Sequence, residues 1–135
     1  MYFPDLTPYV YGRTEPRPDM LNVGWLSADQ PFAKGAPDDR LVPALERLAA
    51  SPVNLDRGIH LCEFCPMPPV KINPINPQMR MIEPPPGTMG NGEIHVAGSN
   101  GVTYVAPVLV LHYVAKHQYL PPQEFIEATI KAASG

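Results

Sequence analysis

The stretch Glu93-Ile94-His95-Val96-Ala97-Gly98-Ser99-Asn100-Gly101-Val102-Thr103-Tyr104-Val105-Ala106-Pro107-Val108-Leu109-Val110-Leu111-His112-Tyr113-Val114 decides the fold class. Residues 93–96 and 102–105 are rich in β-branched and apolar side chains and flank Gly98-Ser99-Asn100-Gly101, which reads as a β-hairpin with a four-residue turn. Pro107 suits the first position of a helix that carries Val108, Leu109, Val110, Leu111, Tyr113 and Val114. That helix is apolar on nearly every side, which places it centrally in the core. Pro121 and Pro122 restart a second helix, with Phe125, Ile126, Thr129, Ile130 and Ala133 on one stripe and Gln123, Glu124, Glu127 and Lys131 toward water. Upstream, Leu41, Leu45, Leu48 and Ala49 follow Pro37-Asp38-Asp39 at helical spacing, predicting a helix over 38–50 that Ser51-Pro52 ends. Residues 1–19 read as extended and lead into a short strand over 21–26 that carries Trp25. The expected architecture is α+β: a small antiparallel sheet packed against two C-terminal helices and one earlier helix.

Eight of the 19 prolines fall in one segment (66, 68, 69, 74, 77, 84, 85 and 86). Proline fixes φ, removes a backbone donor and pushes its predecessor toward extended conformations, so 66–86 is expected to be a long proline-rich loop and neither a helix nor a central strand. Val70, Ile72, Ile75, Met79, Met81 and Ile82 give it apolar surface. The expectation is a strap packed on the body, with a flexible tip as the alternative.

The length of 135 residues suits one globular domain over 1–135, with a single core. A net charge of -3 without a Lys/Arg run offers nothing to neutralise phosphates, which argues against nucleic acid as a partner. No apolar run approaches the roughly 20 residues of a membrane span, and Met1-Tyr2-Phe3-Pro4-Asp5 lacks a signal-peptide start, so a cytoplasmic location is expected. In that compartment two cysteines are kept reduced, which places metal binding or thiol reactivity ahead of a disulfide.

Both cysteines lie in His60-Leu61-Cys62-Glu63-Phe64-Cys65. A redox Cys-x-x-Cys needs a helix N-terminus to lower its thiol pKa, and Pro66, Pro68 and Pro69 forbid a helix there. A tight turn instead aims two thiolates at one ion, with His60 in reach from a short strand, so zinc is the expected cofactor. His112 is taken as the fourth ligand, with His117 as the alternative. Five positions apart on a helix means about 140° of rotation, which one face does not easily present. The expected metal ligands are therefore His60, Cys62, Cys65 and His112. Two competing readings are a pair of inert buried thiols, beside a core His112 and a helix-capping His117, and a reactive thiol. His95 alternates with Ile94 and Val96 and is expected to face solvent. Tyr2, Tyr9 and Tyr11 are read as packing the N-terminus down, with a binding groove shared with Trp25 as the alternative, and no site is assigned to them.

A resemblance rests on Gly58-x-His60-x-Cys62-Glu63-x-Cys65, Gly92-Glu93-Ile94, Ala106-Pro107, His112-Tyr113-Val114-x-x-His117-x-Tyr119-x-Pro121-Pro122-x-x-Phe125 and, upstream, Asn22-Val23-Gly24-Trp25-Leu26. These residues resemble a family of small uncharacterised bacterial proteins. The resemblance implies a bacterial, single-domain, cytoplasmic protein and brings no activity with it.

Two functions follow from the residues. The first is a small non-catalytic binding or accessory module, with a zinc-stapled turn and the proline-rich segment offered to a protein partner or to a second copy of the chain. The second is a hydrolase-type enzyme in which an open zinc position activates water, with Glu63 or Glu93 as general base. Nucleobase deaminases carry His-x-Glu and a separate Pro-Cys-x-x-Cys, and this chain has neither spacing. No phosphate loop, nucleophile elbow or dinucleotide fingerprint is present.

Overall fold

In a computed structural model, the described residues are 2–10, 15, 17–55, 59–66, 70–82 and 87–134. Tyr11, Gly58 and the prolines at 68, 69, 84, 85 and 86 lie outside them. The elements run β1 (Pro8–Tyr9), β2 (Arg17–Asn22), α1 (Leu41–Ala49), β3 (Ile59–Leu61), β4 (Val70–Ile72), β5 (Arg80–Ile82), β6 (Met89–Asn91), β7 (Glu93–Ala97), β8 (Thr103–Pro107), α2 (Val110–His117) and α3 (Gln123–Ser134). This is an α+β arrangement, as the alternation of strand-like and helical patterns predicts.

The predicted hairpin is β7–β8, in register from Glu93↔Pro107 to Ala97↔Thr103 across a 3-10 turn over Ser99–Gly101. It forms half of a four-stranded sheet of order β1-β2-β8-β7. The sheet is mixed and not purely antiparallel, because β2 runs parallel to β8 with Leu21 opposite Tyr104. Local patterning carries no signal for a pairing between strands some eighty residues apart. Period-two alternation divides the side chains between two faces. Ile94, Val96, Tyr104 and Ala106 join the main core with Leu41, Leu45, Val110, Tyr113, Phe125 and Ile126 of the helices. Val105 on the opposite face packs with Tyr9 and Trp25 in a second, smaller cluster.

Three boundaries differ from expectation for identifiable reasons. Pro107 ends β8 instead of opening the helix. Pairing of β8 with β2 stops at Val105, so a missing N–H at Pro107 breaks no bond on that side. Helix α1 starts at Leu41, with Asp38 before it: its carbonyl accepts from Leu41 N–H at 2.9 Å and its carboxylate from Arg40 N–H at 2.9 Å. The expected strand over 21–26 ends at Asn22, and Trp25 makes an isolated bridge to Phe3.

The break in β2 comes at Gly24, whose φ of +78° belongs to the left-handed region. A Cβ there would stand 2.7 Å from Val110 Cγ2. Gly24 therefore sets how closely α2 approaches the sheet. Gly24→Ala is expected to cost about 2–3 kcal/mol, from strain and forced displacement of α2. A denaturant melt with an unchanged midpoint would show instead that α2 yields freely.

Between β3 and β6 the expected strap is not what the described residues form. Val70–Ile72 and Arg80–Ile82 pair with each other as a two-stranded hairpin. Val70, Ile72, Ile75 and Met79 are 54 to 94% exposed, not packed on the body. The prolines keep this segment out of the main sheet, yet Asn73 and Asn76 cap its turn: Asn73 Oδ1 accepts from the N–H of Ile75 and Asn76. No helix among the described residues is long and apolar enough to cross a membrane.

Candidate metal centre

Strand β3 pairs antiparallel with β6, His60 opposite Gly90, and the ladder extends through Cys62, whose N–H donates to Thr88 C=O at 2.8 Å. The chain then turns, with Cys65 N–H reaching Cys62 C=O at 3.4 Å. Cys62 is buried and Cys65 half-buried, and both are free thiols. Facing this turn is α2, which presents His112 from its first turn and His117 from its last. It ends where Gln118 adopts a left-handed conformation (φ 59°), leaving His117 as the last helical residue.

Four donors converge there. Cys62 Sγ, Cys65 Sγ and one ring nitrogen each of His112 and His117 all lie within 4.8 Å of one another. Individual separations are 3.4 Å for Cys62 Sγ to His117 Nε2, 3.2 Å for Cys65 Sγ to His112 Nε2, 3.5 Å for Cys65 Sγ to His117 Nε2, and 3.1 Å between the two Nε2 atoms. A tetrahedral zinc with its usual bond lengths sets neighbouring sulfur and nitrogen donors about 3.3–3.8 Å apart. The observed spacings are those of a group that can hold one metal ion.

His112 and His117 thus act from one helix despite their angular separation. Helical side chains lean toward the N-terminus, so the His117 ring reaches back over the turn above it. Its ring centroid stands 4.8 Å from that of His112. Phe64, one of the two residues between the cysteines, packs on His117 at 5.4 Å and edge-on against Tyr113 at 5.8 Å, fixing the turn against the helix.

The electrostatics favour ligating histidines. Burial lowers both imidazole pKa values, and the neighbouring His117 and Lys116 charges lower that of His112 further, which favours the neutral, ligating form of each ring. Burial pushes the Cys62 thiol up, against hydrogen bonds from the backbone N–H of Phe64 and Cys65 that favour its thiolate. A divalent cation supplies the charge that reverses such a penalty.

Of the ligands expected from sequence, Cys62, Cys65 and His112 come together and His60 does not. His60 precedes the turn on β3 and lines a cavity with Trp25, Glu63 and Tyr113. His117 takes the fourth place beside His112. The signal that could have found it was stoichiometric: both cysteines plus two histidines of one helix complete a tetrahedral set. Glu63 accepts from Ser27 Oγ at 3.2 Å and Ala28 N–H at 3.0 Å. Glu93 is fully buried under a cover of hydrogen bonds, and His95 points to that carboxyl at 3.0 Å with its side chain 29% exposed.

Fold and site together define an α+β protein with a Cys2His2 group placed to hold a metal between a turn and a helix. The chain belongs to the family described as a domain of unknown function (DUF7919), which it matches over residues 1–130. Comparison with curated proteins and with solved structures gives no match.

Proposed function

We propose that this protein is a small, single-domain, non-catalytic zinc-binding module in which Cys62, Cys65, His112 and His117 form a closed structural site. The observation that carries the reading is the convergence of four protein donors within 4.8 Å of one another. Two thiolates and two imidazoles satisfy a tetrahedral ion completely, which leaves no position for the activated water that a hydrolytic zinc needs. Thiolate plus imidazole suits zinc among the common divalent ions. Free cysteines paired with histidines, not with each other, support a reducing, cytoplasmic setting. The staple joins the β3–β6 ribbon to the core through α2, and so anchors both ends of the excursion that bears the β4–β5 hairpin. Exposed Val70, Ile72, Ile75 and Met79 on that hairpin support a protein partner, or a second copy of the chain, as what the module binds.

Plasma mass spectrometry of the untagged protein, purified without chelator, tests the reading. About one zinc per chain is expected. Cobalt substitution should give the intense visible absorption of tetrahedral thiolate coordination. Metal-free protein that refuses zinc on refolding would remove the proposal, and a five- or six-coordinate cobalt spectrum would turn it toward an open, catalytic site.

A further inference from the structure

Cys62 and Cys65 are the two donors that the turn contributes to the metal centre, and His112 and His117 are the two that α2 contributes. Every bond from the turn to an ion therefore runs through a sulfur. We propose that this cysteine pair is a redox switch: oxidation by a peroxide closes a Cys62–Cys65 disulfide, removes both donors of the turn together and frees the ion, and reduction restores the site. The inference rests on the metal reading above and adds the means by which that site is regulated.

Cys65 N–H reaches Cys62 C=O at 3.4 Å, the bond of a four-residue turn, and such a turn holds its outer Cα atoms within about 7 Å. A disulfide spans Cα separations up to about 6.8 Å. The two Sγ atoms already lie within 4.8 Å of each other, and both thiols are free. The S–S bond thus closes by rotation of the cysteine side chains, without rearrangement of the chain. Burial sets the order of events, because Cys62 is buried and Cys65 only half-buried. Metal ligation keeps both sulfurs as thiolates, the nucleophilic form. The Cys65 sulfur, which solvent reaches, attacks one peroxide oxygen and breaks the O–O bond, becoming a sulfenic acid and releasing hydroxide. The Cys62 thiolate then attacks the Cys65 sulfur and displaces a second hydroxide. Two thiolates have lost two electrons, and one peroxide has become two hydroxide ions. His112 and His117 remain, but two imidazoles hold zinc far more weakly than four donors. The turn keeps its place, since Phe64 packs on Phe32 at 5.2 Å and Tyr113 at 5.8 Å, and Glu63 accepts from Ala28 N–H at 3.0 Å, none of which uses a sulfur. Reduction therefore returns two thiols that already face the imidazoles.

The test treats the zinc-loaded full chain with a small excess of hydrogen peroxide in the presence of a chromogenic zinc chelator. Released zinc is expected to rise from near zero to about one per chain. Free thiols should fall from two to none, and the intact chain should lose the mass of two hydrogens relative to its reduced, metal-free form. A phosphine reductant, removed before zinc is returned, should restore both thiols and the bound metal. In Cys62→Ser, which lacks the second sulfur, Cys65 is expected to stop at the sulfenic acid and be trapped by dimedone. Differential alkylation of the native chain reads the same order without a variant, Cys65 reacting faster than Cys62. A chain that binds no zinc before treatment would fail the metal reading itself. Zinc retained with both thiols intact, zinc lost to sulfinic acids that reduction does not reverse, or a disulfide formed between chains would overturn the switch and leave the metal site standing.

Discussion

Cys65→Ser is expected to reduce bound zinc from about one per chain to near zero and to lower the melting temperature by on the order of 15 °C. Cys65 is the residue to change because its sulfur approaches both histidines, at 3.2 Å and 3.5 Å, so its loss removes the donor that both imidazoles face. The size follows from linkage: an ion present at a thousand times its Kd stabilises the folded state by about 4 kcal/mol. For a domain of this length each kcal/mol is worth roughly 3–4 °C. The core of Leu41, Leu45, Val96, Val110, Phe125 and Ile126 does not need the ion to form, so the variant should remain folded at low temperature, unlike a zinc finger. His117→Ala should behave as Cys65→Ser does, whereas His60→Ala should keep its metal because β3 directs that side chain elsewhere. Metal per chain after dialysis against a mild chelator, read beside a thermal melt, checks all three. Zinc retained in His117→Ala and lost in His60→Ala would reverse the ligand assignment.

That pair of histidines shows where sequence reasoning stops. The Cys-x-x-Cys turn was legible because proline at 66 excludes the helix that a redox motif requires, and His112 was legible because a buried imidazole among Leu111 and Tyr113 needs a partner. His60 was attractive through closeness along the chain alone. On a strand, closeness of two residues says which face a side chain occupies only relative to its neighbours, and β3 enters the turn with His60 facing the Trp25 cavity. The angular argument against His117 treated the helix as a cylinder of Cα positions. Ring nitrogens sit far outside that cylinder, and the 3.1 Å between the two Nε2 atoms shows how far side-chain reach offsets backbone rotation.

The fold divides in the same way. The β7–β8 hairpin and the stripes of α1 and α3 are local patterns, and the structure reproduces them to within a few residues. Parallel pairing of β2 with β8 is set by the core and not by the residues of either strand. The hairpin over 70–82 was hidden by the prolines around it, although Asn73-Pro74 and Asn76-Pro77 carry turn chemistry of their own. Glu93 had been read as a possible general base because carboxylates near metal ligands invite that role. Its place in β7 makes it something else.

Glu93→Ala is expected to destabilise the protein by about 3–5 kcal/mol, comparable to the loss of the metal. The carboxyl group is 1% exposed and accepts from Tyr9 O–H at 2.8 and 2.9 Å and from Asn54 Nδ2 at 2.6 Å, with His95 Nε2 at 3.0 Å. It lies on the face of the sheet away from the helices, where Tyr9 of β1 covers it. Main-chain bonds in both directions with Val53, at 2.9 and 2.7 Å, bring the 53–54 segment to the same point. One side chain therefore ties strand β1 and the segment after α1 to strand β7. Removing it leaves the Tyr9 hydroxyl and the Asn54 amide facing a buried gap, which costs more than the bonds themselves were worth. Tyr9→Phe removes a donor instead of the shared acceptor and should cost only about 1–2 kcal/mol. Denaturant melts of Glu93→Ala, Tyr9→Phe and the double variant form the test. The double variant should be less destabilised than the sum of the singles, because Tyr9→Phe removes one of the donors that Glu93→Ala strands. A loss in Glu93→Ala no larger than that of the exposed Glu46→Ala would show that water satisfies this network in place of the carboxylate.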